Sequence, residues 1–191
     1  MINIEINDPR FLPHAGCELK FSLKEGLGFL LIGENGVGKT TLSKYIRQQY
    51  PDAVYLEQKP LEHFYDRSLT KTKQILLNAR KDQLIKERLE RLWNAFGLNE
   101  KEDRLLSTLS GGENQALKLA IALSCESDFY LLDEPSQFLD DKKKDVLSLI
   151  CRNLLEHKKN VLVIEHDLSW IPPGWDLLKL TLQTGWIKRG T

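Results

Sequence analysis

The stretch that decides the fold is FLLIGENGVGKTT, residues 29–41, in which four apolar residues lead directly into a glycine-rich loop. Gly33, Gly38, Lys39 and Thr40 fit the spacing GxxxxGK followed by Thr or Ser. An apolar run without alternation is typical of a strand that is buried on both faces, as in a parallel sheet. A helical pattern begins after the loop, so the segment predicts the strand, loop and helix that a phosphate-binding loop requires.

The chemistry of this loop predicts a nucleotide site. Glycines allow positive φ angles and let backbone amides surround a phosphate, while the start of the next helix adds its partial positive charge. Lys39 is expected to reach the β- and γ-phosphates and the Thr40 hydroxyl to bind Mg²⁺. The expected contact residues are Gly33, Glu34, Asn35, Gly36, Val37, Gly38, Lys39, Thr40 and Thr41.

The composition is that of an ordinary globular protein of 191 residues, 41% hydrophobic and 28% charged. Because 27 basic residues balance 27 acidic residues, the overall charge does not favour nucleic acid or an anionic membrane. The three cysteines have no CxxC spacing, which predicts reduced thiols in a cytosolic protein rather than zinc ligands. No stretch reaches the ~20 apolar residues of a membrane-spanning helix, and the first residues are not typical of a signal peptide.

The wider pattern predicts an α/β fold with a mostly parallel sheet, because apolar strand runs alternate with amphipathic helical patterns. Further apolar runs predict buried strands at 53–56, 129–132 and 161–164. Alternating residues in 2–6 and 19–23 predict a half-exposed antiparallel pair. Residues 67–105 have no such run and are rich in Lys, Arg and Glu, which predicts an inserted helical lobe.

A second candidate site is FYLLDEPS, residues 129–136, where a buried strand ends in two carboxylates. Acidic residues at the carboxyl end of a parallel strand lie at the edge of the sheet where ligands bind in open α/β folds. We expect Asp133 to hold Mg²⁺, through water, and Glu134 to act as a general base on a water molecule. The structural alternative, which stays open at this point, is that Asp133, Glu134 and Pro135 only start a surface turn.

A third stretch, LSGGENQ at residues 109–115, opens another helical pattern. Ser110 is a suitable N-cap and Glu113, three residues later, is a suitable capping-box partner. A capped helix start of this kind needs no ligand, so on its own the stretch does not distinguish a structural role from a functional one.

Together with LEQKP (56–60), SQFLD (136–140) and VIEHD (163–167), these stretches resemble the motifs of ATP-binding-cassette (ABC) ATPases in type and in order. LSGGENQ is similar to the family's signature, GENGVGKTT to its Walker A loop and FYLLDEPS to its Walker B strand. The resemblance covers nearly all of residues 1–191 and implies a single domain with a P-loop NTPase core. It also implies an N-terminal antiparallel β-subdomain and a helical subdomain inserted at about residues 60–125.

The resemblance implies roles for further residues. Gln58 resembles the glutamine that binds Mg²⁺ and nucleotide, and His166 resembles the switch histidine that stabilises the transferring phosphoryl group together with Lys39. Phe11 either stacks on adenine, as an N-terminal aromatic residue does in the family, or is a core phenylalanine. Three positions depart from the family pattern: Ala116 and Ile121 replace common arginines, and Phe138 is bulkier than the usual residue.

The resemblance further implies that two copies meet head to tail, with ATP and Mg²⁺ between the glycine loop of one and Ser110, Gly111 and Gly112 of the other. We expect the ATP-hydrolysing subunit of a transporter, at the cytoplasmic face of a membrane, whose partners are a second copy and transmembrane permease subunits, not nucleic acid. A single cassette without a membrane span favours this role. The alternatives are a soluble ABC ATPase acting on ribosomes or nucleic acid, and an inactive cassette with a structural role.

Overall fold

The computed structural model describes residues 2–6, 19–34, 36–56, 67–101, 103–180 and 187–189. These residues belong to two compact units. The first unit comprises Met1–Tyr55, Ser127–Glu134 and Ser148–Thr191, and the second comprises Leu56–Glu126 and Pro135–Leu147. A search of the described residues finds no helix whose length and apolar character would let it cross a membrane.

The described elements confirm the predicted α/β class. In chain order the strands are β1 (Ile2–Ile6), β2 (Leu19–Leu23), β3 (Gly28–Ile32), β4 (Val54–Leu56), β5 (Phe129–Asp133), β6 (Asn160–Ile164), β7 (Asp176–Leu180) and β8 (Ile187–Arg189). The α-helices are α1 (Lys39–Gln49), α2 (Leu69–Ala79), α3 (Gln83–Ala95), α4 (Gly111–Ser124) and α5 (Asp141–Glu156). Strands β1 and β2 form an antiparallel pair, as their alternation predicts.

The other six strands form one sheet in the order β4-β5-β6-β3-β7-β8. Strands β5, β6, β3 and β7 pair in parallel, and β8 runs antiparallel to β7. The unbroken apolar runs are buried on both faces: every residue of β5 and β6 is buried, and so are the first four of β3. This arrangement brings the carboxyl ends of β3, β5 and β6 to one edge of the sheet.

The core of the first unit lies where α1 packs on this sheet. Leu42 and Ile46, one turn apart on α1, contact apolar residues from three neighbouring strands. The buried cluster contains Phe29, Leu31, Leu42, Ile46, Phe129, Leu131, Leu162 and Ile164. Because β3 and α1 are both fixed by this cluster, the loop that joins them starts and ends at rigid elements.

Strand β7 was not predicted from the sequence, although its residues 176–180 lie parallel to β3. Its sequence, DLLKL, is interrupted by charged residues and does not resemble the unbroken apolar runs of the other central strands. The strand predicted at 53–56 begins one residue later, at Val54, and those predicted from Phe29 and Val161 begin one residue earlier.

The second unit contains helices α2, α3 and α4, and all three start at polar caps. The Ser68 hydroxyl accepts a hydrogen bond from the amide of Lys71 at the start of α2, and the Asp82 carboxylate accepts one from Leu84 at the start of α3. The apolar side chains of Leu89, Leu92 and Trp93 on α3 are buried, and Phe96 lies just beyond the helix at its C-cap. Buried members of this unit include Leu69, Leu89, Trp93, Phe96, Leu98 and Leu117.

Two arginines hold the carboxyl end of α4. Arg80 Nη2 donates to the hydroxyl of Ser124 at 3.0 Å and lies 3.4 Å from the carbonyl oxygen of Ile121. Arg88 Nη1 donates to the carbonyl of Cys125 at 3.4 Å. Cations at a helix C-terminus are favourable because carbonyl groups there have no partner within the helix. The opposite end of α4 is Gly111, within the signature stretch.

Candidate active site

The glycine loop between β3 and α1 has the geometry of a phosphate cradle. Gly38 is the N-cap of α1, with a φ of 100°, and as a glycine it has no side chain with which to cap the helix start. A Cβ on Gly36 or Gly38 would meet nothing within 4 Å, although positive φ angles at both positions favour glycine. The first amides of α1 are therefore left for a ligand, which is the arrangement that binds anions at helix N-termini.

Lys39 lies inside this cradle. Its Nζ donates hydrogen bonds to the carbonyl oxygens of Gly33 at 2.8 Å and Glu34 at 3.0 Å, and the residue is buried. An ammonium group held against the loop carbonyls is within reach of an anion that enters the loop. Thr40 and Thr41 follow on the first turn of α1, with Thr41 exposed.

The fit of the site to a divalent cation can be tested at Asp133, the last residue of β5. The residue is 1% exposed, and its Oδ2 lies 3.4 Å from the Ser43 hydroxyl, while Oδ1 has no hydrogen-bond partner among the described residues. The side chain of Thr40 is close enough to the carboxylate to oppose the rise of its pKa. A buried carboxylate with an unpaired oxygen beside a threonine hydroxyl is a suitable donor set for Mg²⁺, which prefers oxygen ligands. The residues present therefore fit the ion.

The electrostatics of Asp133 point the same way. Burial, and to a smaller extent the charge of Glu134, raise the pKa of Asp133, against the opposing hydrogen bonds of Thr40 and Ser43 and the charge of Lys39. A bound cation would offset the cost of ionising this buried carboxylate. Ser43, one turn beyond Thr40 on α1, was not singled out in the sequence; its helical spacing of three residues was the available signal.

Glu134 and His166 come together at the carboxyl edge of the sheet. The amide of Glu134 donates to the carbonyl of Ile164 at 2.9 Å, and Glu134 Oε1 lies 3.7 Å from His166 Nε2. Glu134 has a φ of 48°, a left-handed conformation that costs a non-glycine residue about 1–3 kcal/mol. Such strain is typical of functional sites, because the surrounding structure must maintain it. Glu134 and His166, which belong to separate sequence motifs, are thus adjacent in the fold.

In the second unit, Ser110 caps α4 as predicted. Its hydroxyl accepts from the amide of Glu113 at 3.3 Å, and its own amide donates to Glu113 Oε2 at 2.7 Å, which completes a capping box. Lys101 and Arg104 also pair with the Glu113 carboxylate. The start of α4 is therefore rigid before any ligand arrives.

The glycines of this stretch lie against Phe138, which is 70% exposed and has a φ of 64°. A Cβ on Gly112 would lie 2.4 Å from the Phe138 carbonyl oxygen, and one on Gly111 would lie 3.2 Å from the ring. Gly112 thus permits a backbone contact that any side chain would prevent. Together with Ser110 and Lys101, these residues border an open cleft of about 560 Å³.

Gln115 is a residue whose role the sequence did not reveal. It is 5% exposed, and its Nε2 donates to the carbonyl of Pro135 at 3.0 Å in the buried interior of the second unit. Three predicted site residues, Phe11, Asn35 and Gln58, lie outside the described residues, so their assignments remain predictions.

We expect Glu113 to make the free energy of unfolding decrease as the pH falls into the acid range. Burial tends to raise its pKa, but hydrogen bonds from Lys101 and Ser110 outweigh this and lower the pKa from 4.5 to about 2. Because the folded pKa lies below the unfolded one, Glu113 stabilises the folded state above pH 4.5, and this contribution is lost as the pH falls toward 2.

The measurement is urea unfolding of the wild type and of Glu113→Gln, which keeps an oxygen to accept from the Ser110 amide. Between about pH 7 and about pH 3, the free energy of unfolding should fall by about 1–2 kcal/mol more in the wild type than in the variant. Identical pH dependence in the two proteins would contradict the lowered pKa.

Comparison with known proteins finds a matching family profile and several relatives. The profile of the family described as "ABC transporter" matches residues 17–137. A putative ABC transporter ATP-binding protein of Archaeoglobus fulgidus is 33% identical over 176 residues, which cover 78% of this chain and 60% of that relative. Translation initiation factor rli1 of Schizosaccharomyces pombe is 27% identical over 175 residues, which cover 85% of this chain and 28% of that relative. The chain thus spans about three fifths or less of these curated relatives.

Solved structures agree on the fold. The structure described as the ATP binding subunit of an ABC transporter has a TM-score of 0.75 at 19% identity. The match covers 93% of this chain and 85% of the chain in that structure. The structure described as RNase-L Inhibitor has a TM-score of 0.64 at 25% identity and covers 93% of this chain and 36% of its own.

Proposed function

Since the chain belongs to the ABC transporter family of ATPases, we propose that it is the ATP-hydrolysing subunit that drives transport by separate membrane subunits. The observation that carries the chemistry is the edge of the sheet at β5 and β6. There, Glu134 lies 3.7 Å from His166 and directly follows the buried carboxylate of Asp133. Carboxylate, imidazole and lysine near one phosphate loop are the groups that phosphoryl transfer to water uses.

In this proposal the chain's own residues divide the work. The amides of residues 33–41 and the ammonium of Lys39 bind and orient the phosphates. Glu134 accepts the proton of the attacking water, and His166 stabilises charge on the transferring phosphoryl group. Thr40, Asp133 and Gln58 would hold Mg²⁺, which when bound neutralises charge on the β- and γ-phosphate oxygens.

We propose that the site is completed by a second copy in head-to-tail orientation. The start of α4, with Ser110, Gly111 and Gly112, would then face the γ-phosphate bound by the other protomer, where a helix N-terminus is favourable. Two observations support this: the capping box fixes the helix start, and the cleft beside it is open. ADP lacks the γ-phosphate that joins the two surfaces, so hydrolysis would open the dimer.

The membrane role is supported by the names of several relatives, including the Archaeoglobus protein. A second candidate is a soluble ATPase acting on ribosomes. It is favoured by the similarity to translation initiation factor rli1. Both candidate functions use the same ATP site, and they differ only in the partner on which the ATPase acts.

The test is the distribution of an ATP-trapped form between membranes and ribosomes. With Mg-ATP, Glu134→Gln should float with membranes in a density gradient and stay with integral membrane proteins after mild detergent. Lys39→Ala, which lacks the phosphate contact, should do neither. Sedimentation with ribosomes instead, with the steep salt sensitivity of phosphate-backbone contacts, would favour the second candidate. Binding to neither would overturn both roles.

A further inference from the structure

A buried carboxylate, Glu165, stands beside the proposed switch residue and has no part in the chemistry described above. It directly follows β6 and is 4% exposed. Its Oε1 accepts hydrogen bonds from the amides of His166 at 2.8 Å and Asp167 at 3.3 Å. Its Oε2 accepts one from the indole Nε1 of Trp170 at 3.3 Å. The carboxylate thus accepts three hydrogen bonds from the turn that carries His166.

The backbone on the other side of this turn is fixed as well. The amide of Glu165 donates to the carbonyl of Leu31 in β3, and the carbonyl of Ile164 accepts from the amide of Glu134. Strand β6 is therefore tied to both neighbouring strands at the point where it ends. From there, the direction in which His166 leaves the sheet depends on the turn that Glu165 closes.

Stability alone is a weak reason for a carboxylate at this position. Burying an ionised carboxyl is costly, and hydrogen bonds offset that cost rather than exceed it in most cases. Charge-assisted hydrogen bonds are, however, short and directional, so three of them fix a turn more firmly than neutral ones would. The effect of these hydrogen bonds is to fix the backbone geometry at the next residue, His166.

We propose that Glu165 is the positioning residue for His166. The carboxylate of Glu165 holds the turn in the conformation that keeps the His166 imidazole within reach of Glu134. The inference rests on the proposed function, because the role of His166 belongs to it. Trp170 is part of the device: its indole N–H satisfies the second carboxylate oxygen and so orients the first toward the two amides. Glu165 itself does not touch the nucleotide.

Glu165→Gln isolates this effect with little change in volume. The amide oxygen can still accept from the backbone of His166 and Asp167, but the amide nitrogen then faces the indole N–H of Trp170, donor against donor. Trp170→Phe removes that N–H, so the double variant relieves the conflict. Glu156→Gln, an exposed change on α5, is the matched control.

We expect Glu165→Gln to lower kcat for ATP about 10-fold or more, since small misplacements of a reacting group have effects of this order. The KM for ATP and the melting temperature should stay near those of Glu156→Gln. Adding Trp170→Phe should recover part of the loss. In a His166→Ala background, Glu165→Gln should have almost no further effect on kcat, because it acts through the imidazole.

The imidazole Cε1–Hε1 NMR signal of His166 gives a readout independent of turnover, and it should shift in Glu165→Gln but not in Glu156→Gln. An unchanged signal, or an equal loss of kcat with and without His166, would overturn the inference while leaving the proposed function intact. If His166→Ala alone hydrolysed ATP at the wild-type rate, the assignment of His166 in the proposed function would fail, whatever the NMR signal showed.

Discussion

Replacing Glu134 with glutamine should lower kcat for ATP hydrolysis by about 10²–10⁴-fold, the range that a positioned general base contributes. Glutamine keeps the size of the side chain but accepts no proton from water. ATP affinity should change little, because the phosphates are held by the glycine loop and Lys39. The uncleaved nucleotide should then keep two protomers together, so the variant with Mg-ATP should elute as a dimer in size-exclusion chromatography with light scattering.

Two controls separate the chemical step from binding. Lys39→Ala should lose both ATP binding and the dimer, because it removes the ammonium that lies in the loop. Glu134→Gln with ADP should remain monomeric, because ADP lacks the γ-phosphate. Wild-type turnover in Glu134→Gln would show that the base is another group, and a monomeric complex with Mg-ATP would refute the head-to-tail site.

The parts of the site that sequence alone could predict are those carried by local pattern. FLLI followed by GENGVGKTT specified β3, the loop and α1, because an unbroken apolar run and a glycine spacing are both legible within a few residues. The Ser110 capping box was equally local, with its partner three residues away. The proximity of Glu134 to His166 was not predicted, although both residues follow predicted strands and neighbouring parallel strands end at one edge of a sheet.

The parts that could not be predicted depend on contacts between residues distant in sequence. Gln115 bonds a carbonyl twenty residues away, at Pro135, and no local pattern distinguishes it from a surface glutamine. Strand β7 carries charged residues and is defined by its pairing with β3 and β8. In sequence, Glu165 resembles any polar residue that follows a strand; its burial and its hydrogen bond from Trp170 are visible only in the structure.

Replacing Gly112 with alanine should have an effect on turnover similar in size to the loss of the base. The new Cβ would lie 2.4 Å from the carbonyl oxygen of Phe138, and since that atom is backbone, either the loop or the start of α4 must move. Overpacking of this kind typically costs about 1–3 kcal/mol of stability. If the helix start grips the γ-phosphate, a displacement of about 1 Å should cost about 10²-fold in kcat.

Gly111→Ala is the matched control, because its Cβ would lie 3.2 Å from the Phe138 ring, which can turn aside. It should lose less activity than Gly112→Ala, and Phe138→Ala should relieve the part of its defect that comes from the ring. Phe138→Ala should not rescue Gly112→Ala, because the clash there involves the backbone oxygen, which alanine retains. Since α1 and the glycine loop are unchanged, Gly112→Ala should still bind ATP as a monomer but fail to dimerise. If Gly112→Ala formed the ATP-dependent dimer and turned over like Gly111→Ala, the start of α4 would have no part in holding the nucleotide.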